Sequence, residues 1–339
     1  MLTTLYGILH FFVDFLCAWA MFGFFQSGRD AYLNILIYNF CAFALQMPFG
    51  TLMDLLMSRS QKKWLPLSCS GLGVVLTVIG TLTHPAVLGI GNALFHVGGG
   101  LDVIGLDFAK DHGGRDLGVF VAPGAVGLYI GTLLGKGSAS FLPLTVACVF
   151  AAAVIVWLVF LKKYRASASD QHNDSGKAPL LVLCCFAVVI LRSFTGFAAT
   201  FDWKIGIMGF LAVLATALGK ALGGFLSARF GSGKIMTVTL LLAAVCFLLG
   251  KHPVFGLLAL LLFNMSMPVT LYLLARHLPG LPGFSFGLLT FALFLGFVPI
   301  YAGITIPISG SVIGALGSVL SALLLLLGWR AVNHGRVSA

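Results

Sequence analysis

An all-α membrane protein with about twelve transmembrane helices in two pseudo-symmetric six-helix bundles is the fold this sequence predicts, and three observations predict it. Of the 339 residues, 59% are hydrophobic and only 9% charged, against roughly a quarter charged in an ordinary soluble domain. Apolar runs of the length that a bilayer crossing demands, about 20 residues for a helix that satisfies its own backbone hydrogen bonds, recur along the whole chain. A segment of the first half also returns in the second: GTLMDLLMSR from Gly50 echoes in GFLSARFGSGK from Gly224, with Leu52 matched by Leu226.

Taking each element in order, apolar runs broken by charged, Gly or Pro clusters place spans at 3–25, 33–57, 65–82, 86–106, 117–135, 139–161, 179–200, 205–228, 235–250, 254–275, 284–303 and 307–328. The ninth is the shortest. The N-terminus opens into apolar sequence without a basic leader or a small-residue cleavage site, so span 1 reads as retained. Between spans 6 and 7 the stretch KKYRASASDQHNDSGK carries no apolar period and reads as a linker. The domain plan is therefore a six-helix bundle over 1–162, a linker over 163–178 and a second bundle over 179–339.

Net charge is +10. No basic patch with interleaved aromatics accompanies it, which argues against nucleic acid as a partner; the charge is a topology signal instead. With both termini and the linker on the cytoplasmic side, only Arg29, Lys136, Lys204 and Lys251 among the loop bases fall on the opposite side. That asymmetry predicts cytoplasmic termini in a multi-pass protein of a bacterial inner membrane. The seven cysteines lie in apolar segments without zinc or disulfide spacing and read as packing residues.

Ionisable side chains inside spans cost about 2.5–3.5 kcal/mol each on insertion scales, so each asks for a reason. The chain has no glutamate, and the intramembrane set is His10, Asp14, His96, Asp102, Arg192 and Lys220. His10 and Asp14 are four apart and share one face of span 1. At a rise of about 1.5 Å per residue Asp14 lies roughly 16 Å into its span, and His96 lies at a similar depth in span 4. This arrangement suits a carboxylate and imidazole that exchange a proton across a transport cycle, or a structural hydrogen-bonded pair. Arg192, roughly 20 Å into span 7, is too deep to snorkel and calls for an anionic partner, either substrate or Asp14. Lys220 is near enough to the end of span 8 to reach water, and Asp102 reads as part of a polar face leading to Asp107, Lys110 and Asp111. Pro268 and Pro299 predict kinks in spans 10 and 11. The run APGAVGLYIGTLLG, from Ala122 to Gly135, puts small residues on one side of span 5.

Gly50-x-Leu52-x-Asp54 followed by Arg59, Lys62 and Lys63 resembles the signature between helices 2 and 3 of the major facilitator superfamily; the second copy keeps Gly224, Arg229, Gly231 and Lys234 but has Ala228 at the acid's position. Further segments resemble the fosmidomycin-resistance branch: His10-Phe11-x-x-Asp14, Gln46-x-Pro48-x-Gly50, Gly91-Asn92-Ala93-x-Phe95-His96, Leu191-Arg192-Ser193 and Pro268-Val269-Thr270. The Pro-Glu usual after the span 4 histidine is Val97-Gly98. The resemblance implies a major facilitator fold, a gate built on Gly50, Asp54, Arg59, Gly224 and Arg229, a monomer, and, from span 5, a hint of antiport.

The expected function is secondary active transport of a small organic compound by alternating access, as proton-coupled export. His10, Asp14, Asn92, His96 and Arg192 are its substrate-binding or coupling residues, and no cofactor is implied. An anionic substrate fits Arg192. One alternative is a divalent metal exporter with His10, Asp14, His96 and Cys184 as ligands, a set that suits zinc, iron or copper; Arg192 would repel such a cargo. Another is an intramembrane enzyme or receptor, against which stands the lack of an Asp-rich metal motif or of a nucleophile with a recognisable base.

Overall fold

A computed structural model describes residues 1–26, 30–60, 63–137, 140–164, 179–304 and 306–334. Eleven of its helices are long and apolar enough to cross a bilayer, which makes the chain a multi-pass integral membrane protein. They are α1 (Leu2–Phe25), α2 (Ala31–Arg59), α3 (Leu65–Leu82), α4 (Pro85–Ala109), α5 (Arg115–Gly137), α6 (Leu142–Tyr164), α7 (Pro179–Ala198), α8 (Gly206–Phe230), α10 (Pro253–His277), α11 (Pro282–Tyr301) and α12 (Gly310–His334). The twelfth, α9 (Ser232–Leu248), has 17 residues, three residues upstream of the expected start. Gly231, at φ 89°, turns the chain sharply out of α8 and lets α9 begin at once. Helix α6 runs to Tyr164; the rest of the expected linker lies outside the described residues, as do Arg29 and Lys62.

The chain divides into two compact units. The first comprises Met1–Lys110, Val119–Gln171 and Gly280–Gly287, the second Asp111–Gly118, His172–Pro279 and Leu288–Ala339.

In the first unit α3 packs against α4, and α1 against α3, α4 and α6. In a bilayer the lipid is as apolar as the side chains, so association depends on close packing, and small residues permit it. Gly73 of α3 lies against the backbone of Phe95, and Gly91 of α4 against that of Thr77; a Cβ at either would collide with the other helix. The α3–α4 turn is sealed by His84, whose Nδ1 accepts from Ala86 N at 3.1 Å, with Pro85 opening α4 where its missing N–H costs nothing. Two features escape any apolar count: π-helical turns at Met21–Phe25 and Phe40–Ala44, each of which shifts the face of the helix beyond it.

In the second unit α12 packs against α7 and α9, and α8 against α10. Phe247 is central: it stacks on Phe201 at 6.0 Å, meets Phe263 edge-on at 5.6 Å and lies against Gly314. The kink foreseen in span 10 is an interruption at Met265, between helical segments Pro253–Asn264 and Ser266–His277. Pro268 explains it, because it cannot donate to the carbonyl four residues earlier. Pro299 falls two residues before the end of α11.

Candidate functional site

Three helices of the first unit converge on one cluster of ionisable side chains. From α1 come His10 and Asp14, from α4 His96 and Asn92, and from α5 the backbone at Phe120 and Gly124. His10 Nε2 lies 3.1 Å from Asp14 Oδ2 and 2.9 Å from His96 Nε2, and His96 Nε2 lies 3.7 Å from Asp14 Oδ1. The two imidazoles are edge-to-face, with centroids 4.4 Å apart. Both histidines are buried, Asp14 is half-buried and Asn92 is 2% exposed.

The other ring nitrogens settle the tautomers. His10 Nδ1 is 2.9 Å from the carbonyl of Phe120, and His96 Nδ1 is 2.8 Å from that of Asn92. A carbonyl only accepts, so each Nδ1 carries a hydrogen and donates it. Each neutral ring then has a bare lone pair at Nε2. Two lone pairs and a carboxylate therefore face one another at hydrogen-bond distance, an arrangement that repels itself unless a cation, in the simplest case a proton, sits among them. Asn92 Nδ2 donates to Asp14 Oδ1 at 3.2 Å and fixes the carboxylate from the remaining side.

The glycine stripe of α5 is what brings the helices this close. Gly127 and Gly131 lie against the carbonyls of Phe11 and Phe15, and Gly124 lies against the cluster itself. A Cβ at Gly124 would come within 2.6 Å of Asp14 Oδ2 and nearer still to His10 Nε2. Small residues in span 5 thus have a packing role here.

With these helices placed, the chain can be compared with solved structures. It superposes on the fucose:proton symporter of E. coli with a TM-score of 0.65 at 17% identity, covering 95% of each chain. It is similar to a bacterial homologue of the iron transporter ferroportin, with a TM-score of 0.56 at 15% identity over 99% and 100% of the two chains. The human organic anion transporter MFSD10 gives a TM-score of 0.53 at 17% identity, with 96% and 83% covered. The chain has the major facilitator fold. No family model and no curated protein matches the sequence.

In this major facilitator fold the two echoing segments end differently. In the first unit Gly50 abuts the backbone of Gly283, and Asp54 takes hydrogen bonds from the N–H groups of Gly283 at 2.8 Å and Phe284 at 2.7 Å. The carboxylate thus satisfies two of the orphan donors at the start of α11 and meets the positive end of its dipole. In the second unit Gly224 abuts Gly114, and Ala228, which has no acceptor to offer, lies against Gly113. A cavity of about 310 Å³ lies beside it, lined among others by Asp111, Ala228, Tyr272, Arg276 and His277. Arg59 and Arg229 are both exposed, the latter with its guanidinium 5.4 Å from the Phe230 ring.

Arg192, in α7 of the second unit, is 7% exposed, and its Nε has no hydrogen-bond partner among the described residues. Cys184 is also in α7, buried against Gly328; among the described residues the cluster able to hold a metal consists of His10, Asp14 and His96. One partner went unseen in the sequence. Tyr6, one turn before His10 on α1, donates to the Asp102 carboxylate, which ties the start of that polar face to α1. Asp107 is fully buried. The spacing of Tyr6 and His10, four apart, was the available signal, but Tyr6 is aromatic and merges with the apolar run around it.

Proposed function

We propose that this protein is a secondary active transporter that moves a small organic anion across the membrane by alternating access, with the cluster at His10, Asp14 and His96 holding the coupling cation. The observation that carries the reading is Arg192. A guanidinium keeps its charge under all physiological conditions, and burying it inside a span without an anion is expensive. A carboxylate or phosphonate on the substrate would supply the missing charge through two parallel hydrogen bonds. The structural neighbour that carries organic anions accords with that choice of substrate, and the fucose:proton symporter with a proton as the coupling ion.

The same reading assigns the Asp54 contact to α11 and its altered counterpart at Ala228 to gating, together with Gly50, Arg59, Gly224 and Arg229. Export is the direction that the segments resembling the fosmidomycin-resistance branch favour, from a bacterial inner membrane with both termini cytoplasmic. The test is uptake of radiolabelled organic anions into proteoliposomes. Replacing Arg192 with Ala should raise KM for the anion by at least roughly tenfold, the loss of one charge-assisted interaction of about 1.5–3 kcal/mol. An unchanged KM in that variant would sink the role of Arg192.

A further inference from the structure

We propose that His10, Asp14 and His96 form a three-ligand binding site for a divalent first-row transition metal of the zinc or cobalt class, with a fourth position left for water or a second ligand. This goes beyond the organic-anion reading and stands on the geometry of the cluster alone.

Three features of the cluster point to a metal rather than to a structural hydrogen-bond network. The first is spacing. A tetrahedral ion bonded at about 2.0–2.1 Å holds its ligand atoms about 3.3 Å from one another. The two Nε2 atoms are 2.9 Å apart, His10 Nε2 is 3.1 Å from Asp14 Oδ2 and His96 Nε2 is 3.7 Å from Asp14 Oδ1, so each imidazole has the other and one carboxylate oxygen near this spacing, and the three side chains converge on one point. The second is the surrounding shell. Each histidine donates Nδ1–H to a main-chain carbonyl, and Asn92 holds the carboxylate; outer contacts of this kind orient metal ligands and raise their basicity. The third is the absence of a side chain at residue 124. The Cβ that position lacks would press on His10 Nε2 and Asp14 Oδ2, the same atoms that face the ion. Two imidazoles and one carboxylate suit zinc, cobalt, nickel or iron(II) better than magnesium or calcium, which prefer all-oxygen shells.

The purified full-length protein in detergent, titrated with cobalt(II) chloride, tests this through the visible ligand-field bands of a nitrogen- and oxygen-ligated ion. One ion per chain is expected, with displacement by zinc chloride. His10→Ala and His96→Ala should each weaken uptake more than about tenfold, and Asn92→Ala by about 10–100-fold, the usual cost of losing an outer-shell contact. Cys184→Ser should leave it unchanged. Should the alanine variants fail to fold, His96→Asp supplies a replacement ligand and should retain one-to-one binding with a shifted spectrum. Binding that persists undiminished in a folded His10→Ala/His96→Ala double variant, or the lack of any saturable binding to the native protein, would overturn the proposal. Neither result bears on Arg192 or on anion transport, so the two readings fail separately.

Discussion

Asp14 is held on three sides by His10, His96 and Asn92, and what each contact does can be separated by substitution. Asp14→Asn keeps the shape and removes the charge, so it should leave expression and folding intact while abolishing cation-coupled transport; coupled flux at the native level in this variant would remove the coupling role. Gly124→Ala should crowd the same centre at a cost of about 1–3 kcal/mol, typical of an overpacked site, and should weaken both cobalt uptake and transport. Wild-type behaviour in both assays would show that α5 does not bound the site. Tyr6→Phe removes one donor from the half-buried Asp102 carboxylate, and about 1 kcal/mol of stability should go with that hydrogen bond; thermal unfolding in detergent reads the loss, and an unshifted midpoint would contradict it. At this scale the sequence was legible where helix spacing alone decides. His10 and Asp14 share a face because they are four apart, and His96 is intramembrane because span 4 surrounds it. What spacing cannot show is the tautomer of each ring, since the carbonyls of Phe120 and Asn92 that set it are placed only by the fold.

Helices carry the next level of argument. Asp54 closes the N-terminus of α11 through two backbone hydrogen bonds. Capping carboxylates contribute about 0.5–2 kcal/mol, so Asp54→Ala should lower the unfolding midpoint, and Asp54→Asn, which keeps one acceptor oxygen, should lower it less. Equal stability of all three proteins would mean that the contact is incidental. Apolar run length located twelve helices because bilayer thickness sets a minimum that few loops imitate. It could not locate the π-helical turns at Met21–Phe25 and Phe40–Ala44, which change register without changing composition, nor the early start of α9, which depends on the positive φ of Gly231. Pro268 was a legible signal because the missing donor acts wherever the residue sits, and the interruption at Met265 follows from it.

For the whole molecule, a chain with no glutamate and ten aspartates has few carboxylates to spend on transport, and the structure gathers one of them with two imidazoles while a guanidinium is left without a neighbour to bond its Nε. The proposed cation-coupled movement of an organic anion would use both, the cluster for the coupling cation and the guanidinium for the substrate's charge. Substrate identity was not legible because the candidate recognising groups are few and general: one arginine in the proposed role would specify an anion and little about the rest of the molecule. The most direct test is substrate-driven proton flux in proteoliposomes containing a trapped pH-sensitive dye, with organic anions and organic cations applied in turn. The account predicts a pH change with an organic anion that disappears in Asp14→Asn and falls sharply in Arg192→Ala. A flux driven by organic cations alone, or an anion-driven flux undiminished in Asp14→Asn, would contradict it.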